Sequence, residues 1–146
     1  MIVTQPVTYS GRCQCGAVSA TIASEPLAVR QCWCRQCQQV SGGGATTNAL
    51  FKTADITLIG KLARHDYLAA SGNTLSQRFC AACGTPVMGE SSARPHMKAV
   101  RVGFLDGPHG LAPQMAIWTD DAPGWAVIDP ALERHARQPP SPAPKV

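Results

Sequence analysis

The sequence lacks long hydrophobic runs and runs of positive charge, and these absences exclude several classes of protein. The longest apolar stretches are far shorter than the roughly 20 residues that a membrane-spanning helix needs. The first ten residues, MIVTQPVTYS, have neither the basic nor the apolar segment of a secretory signal. Lys and Arg are scattered, without the basic stripe typical of nucleic-acid binding. We therefore expect a cytoplasmic protein that binds neither membrane nor nucleic acid. Its oligomeric state stays open.

Cysteine, in contrast, is present in an informative pattern. Seven cysteines fall into three groups, CQC, CWCRQC and CAAC. An odd count, tight spacing and no export signal argue against a disulfide framework and favour metal binding. Seven thiolates around two zinc ions would reduce the formal net charge from +4 to +1, which weakens any case for a nucleic-acid partner.

The pattern of side chains predicts a mainly β fold. Short segments rich in β-branched or alternating residues recur between Gly, Pro, Ser and Asn. These predicted strands cover residues 17–22, 47–51, 56–59, 74–79, 86–90 and 99–105. No stretch keeps a helical apolar period for three turns.

Two short helices are expected. One covers residues 34–41 and ends at the glycines 42–44. The other covers residues 130–137, with Asp129 as N-cap and Pro130 in the first helical position.

The length of 146 residues suits a single domain with its own core. We place this domain at residues 1–138. The proline-rich segment 139–146 is predicted to be an extended or disordered tail.

Two of the cysteine groups can supply a pair of ligands each. Cys13 and Cys15 are two residues apart, so a strand would present both sulfurs on one face. Cys80 and Cys83 flank a turn, and Gly84 directly after them supplies positive φ at little cost. Two such pairs complete a tetrahedral four-cysteine site of the structural type.

The middle group then contains three thiols: Cys32, Cys34 and Cys37. On spacing alone, Cys32 and Cys34 could instead join Cys80 and Cys83, so both partitions remain open. Either way, seven cysteines cannot fill two four-cysteine sites. One metal site therefore has a fourth position that is a non-cysteine ligand or is open, and an open position is typical of a catalytic metal.

The four histidines are candidates for that fourth position, although none lies at a ligand-like spacing from a cysteine. They are His65, His96, His109 and His135. A zinc ion with three thiolates carries a unit of negative charge, which weakens its effect on a bound water. Such a site suits thiol or aldehyde chemistry better than hydrolysis.

The three cysteine motifs together resemble a known family. GRCQCGAVSATI, CWCRQCQQVSG and RFCAACGTPV, in this order, resemble the glutathione-dependent formaldehyde-activating enzyme family, which also includes centromere protein V-like proteins. VGFLD, PQMAIWTDDAPGW and DPALERHARQP give a looser C-terminal match, so the resemblance covers residues 10–139.

This resemblance implies a β-tent fold, in which small antiparallel sheets are pinned by zinc. It assigns a structural zinc to Cys13, Cys15, Cys80 and Cys83, and a second, catalytic-type zinc to Cys32, Cys34 and Cys37. It also implies a carbon–sulfur lyase that joins glutathione, or another thiol, and formaldehyde, or another small aldehyde, in an S-hydroxyalkyl adduct. A non-enzymatic zinc-binding module of the same fold and a reactive-thiol or metal-buffer protein are the alternatives.

Several neighbours of the triplet have two interpretations each. Trp33 either forms a wall of the substrate pocket or anchors the core. Arg35 and Gln36 either contact substrate carboxylates or simply face solvent. Trp118 and Trp125 either pack in the core or rim, or line the cleft.

Overall fold

A computed structural model describes residues 8–140 of the chain. In this part the chain forms eleven strands and one α-helix. Their bounds are β1 Tyr9–Arg12, β2 Ser19–Ile22, β3 Ala28–Cys32, α1 Arg35–Ser41, β4 Thr46–Lys52, β5 Ile56–Ile59, β6 Leu62–Leu68, β7 Thr74–Cys80, β8 Pro86–Ser91, β9 Met97–Arg101, β10 Met115–Ile117 and β11 Glu133–Arg134. Single 3-10 turns cover Thr53–Asp55, Val102–Phe104 and Thr119–Asp121. The prediction of a mainly β fold built from short strands is confirmed.

The strands form two open sheets. The small sheet has the order β1-β2-β5, and the large one has the order β11-β10-β3-β4-β9-β8-β7-β6. Neighbouring strands are antiparallel except at one edge, where β10 runs parallel to both β3 and β11. The resemblance implied antiparallel sheets. The structure has these two parallel strand pairs in addition to the antiparallel ones. Within the described residues, no helix is long and apolar enough to cross a membrane.

The large sheet has one apolar face and one polar face, because successive side chains of a strand point to opposite sides. Val29, Ala49 and Val100 are cross-strand neighbours on β3, β4 and β9, and all are buried. They belong to the main core together with Val18 and Ile22 from the segment that forms the small sheet. The two sheets therefore share one core, and the polar face of the large sheet remains available for a site.

All six predicted strands overlap observed ones: β2, β4, β5, β7, β8 and β9. The last prediction extended too far, because residues 102–104 turn away from β9 as a 3-10 turn. Five strands were not predicted: β1, β3, β6, β10 and β11.

The helix expected over residues 34–41 is confirmed as α1. Cys34 is its N-cap, and the Cys34 side chain accepts a hydrogen bond from the Cys37 backbone N–H. Gly42 ends the helix in the left-handed conformation, with φ 87°, and its N–H donates to the Gln38 carbonyl. A glycine adopts this conformation without the steric cost that a Cβ would impose.

The helix expected over residues 130–137 is wrong. The Asp129 carboxylate accepts a hydrogen bond from the Ala131 N–H at 2.9 Å, which makes a local turn. Residues 133–134 then pair with β10 as β11. The aspartate does bind a nearby backbone N–H as a cap would. However, β10 offers hydrogen-bond partners that favour a strand over a short helix.

The predicted domain boundary at residue 138 stays a prediction. Of the proline-rich segment, residues 141–146 lie outside the described part. Pro139 is buried and Pro140 is exposed, and the Pro140 carbonyl accepts a hydrogen bond from Nη2 of Arg30 at 3.4 Å.

Candidate metal centres and substrate cleft

The first candidate metal centre contains four sulfurs. Cys13 and Cys15 follow β1, Cys80 ends β7, and Cys83 lies in the turn before β8. All four Sγ atoms lie within 4.8 Å of one another, with 3.6 Å between Cys13 and Cys15 and 3.8 Å between Cys15 and Cys80. The structure therefore selects the two-plus-two partition and excludes the grouping of Cys80 and Cys83 with the middle cysteines. The cluster joins the end of a small-sheet strand to the large sheet.

The turn at Cys80 and Cys83 directs hydrogen-bond donors at both of its sulfurs. The backbone N–H groups of Ala82 and Cys83 point at the Cys80 Sγ at 3.3 and 3.4 Å. Gly84 has φ 79°, as the spacing predicted. Hydrogen bonds from the Thr85 hydroxyl and backbone lower the pKa of Cys83 to about 5. Thiolates are the ligand form of cysteine, so these donors suit a metal ion.

The second candidate centre is the triplet of Cys32, Cys34 and Cys37, in which every Sγ lies within 4.8 Å of the others. Cys32 ends β3, Cys34 caps α1, and Cys37 lies in the first turn of α1. Cys32 and Cys37 are buried, whereas Cys34 is half-buried. The strand end and the helix start thus bring three sulfurs together within six positions of sequence.

The triplet sulfurs differ in acidity. Hydrogen bonds from Cys32 and Cys34 lower the pKa of Cys37 to about 3, whereas interactions with Cys34 and Cys37 raise the pKa of Cys32. Crowded thiols ionise one at a time because like charges repel, and a cation that binds them relieves this repulsion. Soft thiolate donors in a compact set are typical of zinc sites. Both clusters could therefore hold a metal ion.

Neither cluster gains a further protein ligand. Among residues 8–140, no histidine or carboxylate joins the sulfur groups, so none of the four candidate histidines completes the triplet. The three sulfurs instead open onto a cleft of about 160 Å³ on the polar face of the large sheet. The cleft is also lined by Arg30, Asn48, Leu50, Tyr67, Gln77, Met97, Arg101, Ile117 and Trp118.

Two arginines are buried in this cleft. Arg30 on β3 and Arg101 on β9 are only 6% and 7% exposed, and both face Asn48 on the strand between them. Arg101 donates from Nη1 to the side-chain Oδ1 of Asn48 at 2.5 Å and from Nη2 to Oε1 of Gln77. Neither arginine forms an ion pair with a described carboxylate, and the Nε of each is buried without a hydrogen-bond partner there.

The cleft is electropositive beside the sulfurs. Burial lowers the pKa of Arg30, nearby Arg94 lowers it further, and the Cys32 sulfur opposes both effects. The carboxylate of Glu90 also lines the cleft, but it is bound to Arg78 at 2.9 Å and Lys98 at 3.6 Å. Among residues 8–140, no carboxylate is therefore left to neutralise the two buried guanidinium groups.

A short chain of hydrogen bonds links Arg101 to Tyr67. Because Oε1 of Gln77 accepts from Arg101, its Nε2 is free to donate to the Tyr67 hydroxyl oxygen, at 3.2 Å. That leaves the Tyr67 O–H proton for another acceptor. Burial raises the pKa of Tyr67 to about 12, so the hydroxyl stays protonated at neutral pH.

Of the residues predicted to lie near the triplet, some line the cleft and others do not. Trp118 lines the cleft. Trp33 is buried but does not line it, and its indole N–H donates to the Gln31 side chain at 3.3 Å. Trp125 is 69% exposed, and Arg35 and Gln36 face solvent outside the cleft.

Sequence reasoning missed Arg30, Asn48, Gln77 and Arg101. Two signals could have found the arginines. Arg30 precedes Cys32 by two residues in a strand, so both side chains point to the same face. Arg101 lies in the apolar segment AVRVGFL. Burying a charge in such a segment is costly, so an arginine there indicates a binding or catalytic role.

The fold and the sites define a mainly β domain with two cysteine clusters, each able to hold a metal ion, one of which opens onto a cleft. The chain belongs to the glutathione-dependent formaldehyde-activating enzyme family, whose family model matches residues 8–121. A crystal structure of a Rhodobacter sphaeroides protein, a structural genomics target, is similar in fold, with a TM-score of 0.56 and 23% identity. The match covers 71% of this chain and 97% of that one. No curated protein matches the sequence.

Proposed function

We propose that this protein is a carbon–sulfur lyase-type zinc enzyme. Its substrates are glutathione, or another thiol, and formaldehyde, or another small aldehyde, and its product is the S-hydroxyalkyl adduct. The observation that supports this function is the triplet of sulfurs, which has no fourth protein ligand among the described residues and opens onto a cleft. Membership of the glutathione-dependent formaldehyde-activating family supports the substrate pair.

We assign a structural zinc to Cys13, Cys15, Cys80 and Cys83, and a catalytic-type zinc to Cys32, Cys34 and Cys37. Bound to the triplet, zinc would supply Lewis acidity that favours a thiolate over a thiol and polarises a carbonyl. Both assignments need reduced thiols, which is consistent with the proposed cytoplasmic location.

The reaction forms a C–S bond and an O–H bond, and it breaks the S–H bond of the thiol and the π bond of the carbonyl. The thiol sulfur attacks the aldehyde carbon, the C–S bond forms, and the π electrons of the carbonyl move to its oxygen. That oxygen ends with the proton that the thiol lost, so no oxidant or reductant is needed. We assign the Tyr67 hydroxyl, which lines the same cleft and accepts a hydrogen bond from Gln77, as the donor to this oxygen.

The experiment follows exchange between formaldehyde and glutathione by NMR, with and without zinc-loaded protein. We expect about two zinc ions per chain and faster exchange with the protein present. Cys34→Ser should abolish the acceleration, while Arg35→Gln, outside the cleft, should preserve it. Unchanged exchange with both zinc ions bound would refute the glutathione–formaldehyde assignment.

Metal content separates the alternatives. About one zinc ion per chain after gentle purification would favour a reactive-thiol or metal-buffer protein. With cobalt in both sites, a spectrum that does not shift when glutathione is added would favour a non-enzymatic module with a closed second site.

A further inference from the structure

We propose that Arg30 and Arg101 form a carboxylate subsite that selects thiol substrates carrying an acidic group. The inference rests on the proposed function, because it concerns the thiol that reaches the cysteine triplet. It adds which feature of that thiol the protein recognises and which residues recognise it.

The first argument is the cost of burying two cations that have no carboxylate partner among the described residues. A buried charge is expensive unless a counter-charge or several hydrogen bonds compensate for it. Arg30 makes one long hydrogen bond, to the Pro140 carbonyl, and the hydrogen bonds of Arg101 go to the neutral side chains of Asn48 and Gln77. The triplet sulfurs interact electrostatically with both arginines, but three thiolates around one zinc ion would carry only one negative charge against two guanidinium groups. Within residues 8–140 no carboxylate lies within ion-pair distance of either arginine. A bound anion would supply the negative charge that the described residues do not provide.

The second argument is the number of free donors. A guanidinium group has five N–H donors arranged in a planar fork that matches the two oxygens of a carboxylate. Arg30 uses one of its donors on described residues and Arg101 uses two. The buried Nε of each arginine is among those without a partner. The remaining donors are enough to hold a carboxylate.

The third argument is the position of the arginines relative to the sulfurs. Arg30 and Cys32 are on the same face of β3, about 6.6 Å apart along the strand at 3.3 Å per residue. Arg101 reaches the same face two strands away, next to Asn48, which pairs with Arg30. A molecule with its sulfur at the triplet and a carboxylate a few bonds away can therefore occupy both places. Formaldehyde is small and neutral, so it has no carboxylate that the two guanidinium groups could bind.

Gly89 leaves room for the guanidinium group of Arg101. A Cβ at Gly89 would lie only 3.3 Å from Nη2 of Arg101, which is tighter than ordinary contact. The absence of a side chain there lets the guanidinium cross β8 to reach Gln77 on β7.

The test compares acids with their esters, so that the wild-type protein itself provides the first answer. Binding to the zinc-loaded full chain is measured by calorimetry for S-methylglutathione and its dimethyl ester, and for 3-mercaptopropionate and its methyl ester. We expect each acid to bind about 30-fold or more tightly than its ester, as for loss of one partner of a buried charge pair. Equal binding of acid and ester in both pairs would overturn the subsite.

Arg30→Gln and Arg101→Gln should each abolish most of this preference for the acid. Arg134→Gln is the matched control, because Arg134 is exposed and, like Arg30, donates from Nη2 to a backbone carbonyl. Thermal melts check that each variant is folded. A preference that survives in both cleft variants would also overturn the proposal.

The outcome is separable from that of the proposed function. If 3-mercaptopropionate shows the preference while glutathione–formaldehyde exchange is not accelerated, the subsite stands and only the glutathione assignment fails. If exchange is accelerated but neither pair shows a preference, the enzyme assignment stands and the subsite fails.

Discussion

Replacing one cysteine in each cluster should separate a structural centre from a reactive one. The two substitutions are Cys80→Ser and Cys34→Ser, which make the same chemical change at positions of different burial. Cys80 is 1% exposed and belongs to the core that the two sheets share, whereas Cys34 is half-buried at the edge of the cleft.

The expected magnitudes follow from these surroundings. A structural zinc site contributes on the order of 10 kcal/mol to folding, similar to the whole stability of a domain, which is about 5–15 kcal/mol. Loss of one of its four thiolates should therefore cost at least about 4 kcal/mol, or about 12 °C in Tm at roughly 3 °C per kcal/mol. Cys34 is an N-cap whose side chain accepts the Cys37 N–H, and serine is a favoured N-cap. Cys34→Ser should thus cost no more than about 2 kcal/mol, or about 6 °C.

The assay is thermal unfolding followed by tryptophan fluorescence, with zinc content measured on the same samples. Cys80→Ser should lose metal and stability together, while Cys34→Ser should lose exchange activity and remain folded. A Cys80→Ser variant whose Tm lies within about 3 °C of the wild type would refute the division of roles. A Cys34→Ser variant whose Tm decreases as much as that of Cys80→Ser would also refute it.

Two further predictions concern the tyrosines and one glycine. Burial raises the pKa of both tyrosines, Tyr9 and Tyr67, to about 12, so little tyrosinate absorbance should appear at about pH 10 until urea unfolds the chain. Because the folded pKa values are raised, this stabilisation is complete below about pH 10 and is lost as pH rises toward 12. Titration of either tyrosine near pH 10 in the folded protein would contradict this prediction. Gly60→Ala should cost about 3 kcal/mol or more in a urea melt, because Gly60 has φ 107° and its added Cβ would lie 2.2 Å from the Ala17 carbonyl oxygen. Gly124→Ala, with open space around it, should change stability by under about 1 kcal/mol.

Elements with a local signal were predictable. β5 was predicted with its observed bounds, because ITLI lies between turn-forming residues, and α1 ended at Gly42 as expected. β10 and β11 have only three and two residues, and they form because β10 pairs with the edge of β3 and β11 then pairs with β10. No local pattern carries such information. The segment 130–137 is the converse case. Its local capping signal predicted a helix, but residues 133–134 pair with β10 as a strand instead.

The candidate metal centres were predictable because their ligands are close in sequence. The spacing in CQC, CWCRQC and CAACG is itself the geometry of a ligand pair or triplet, since a strand or a tight turn sets the distances between sulfurs. The sequence also showed that one site must lack a fourth cysteine. It left open which pairs combine, because that depends on how β1 and β7 approach each other across the core.

The cleft was decided by the tertiary structure alone. Arg30, Asn48 and Arg101 become neighbours only when β3, β4 and β9 pair in this register, although Arg101 is 71 positions from Arg30 in the chain. A shift of one residue in either pairing would turn these side chains toward the core. The sequence by itself therefore determined a mainly β chain with two clusters of metal-binding cysteines. The pairing of distant strands decided that three of those sulfurs share a cleft with two arginines that have no carboxylate partner among the described residues.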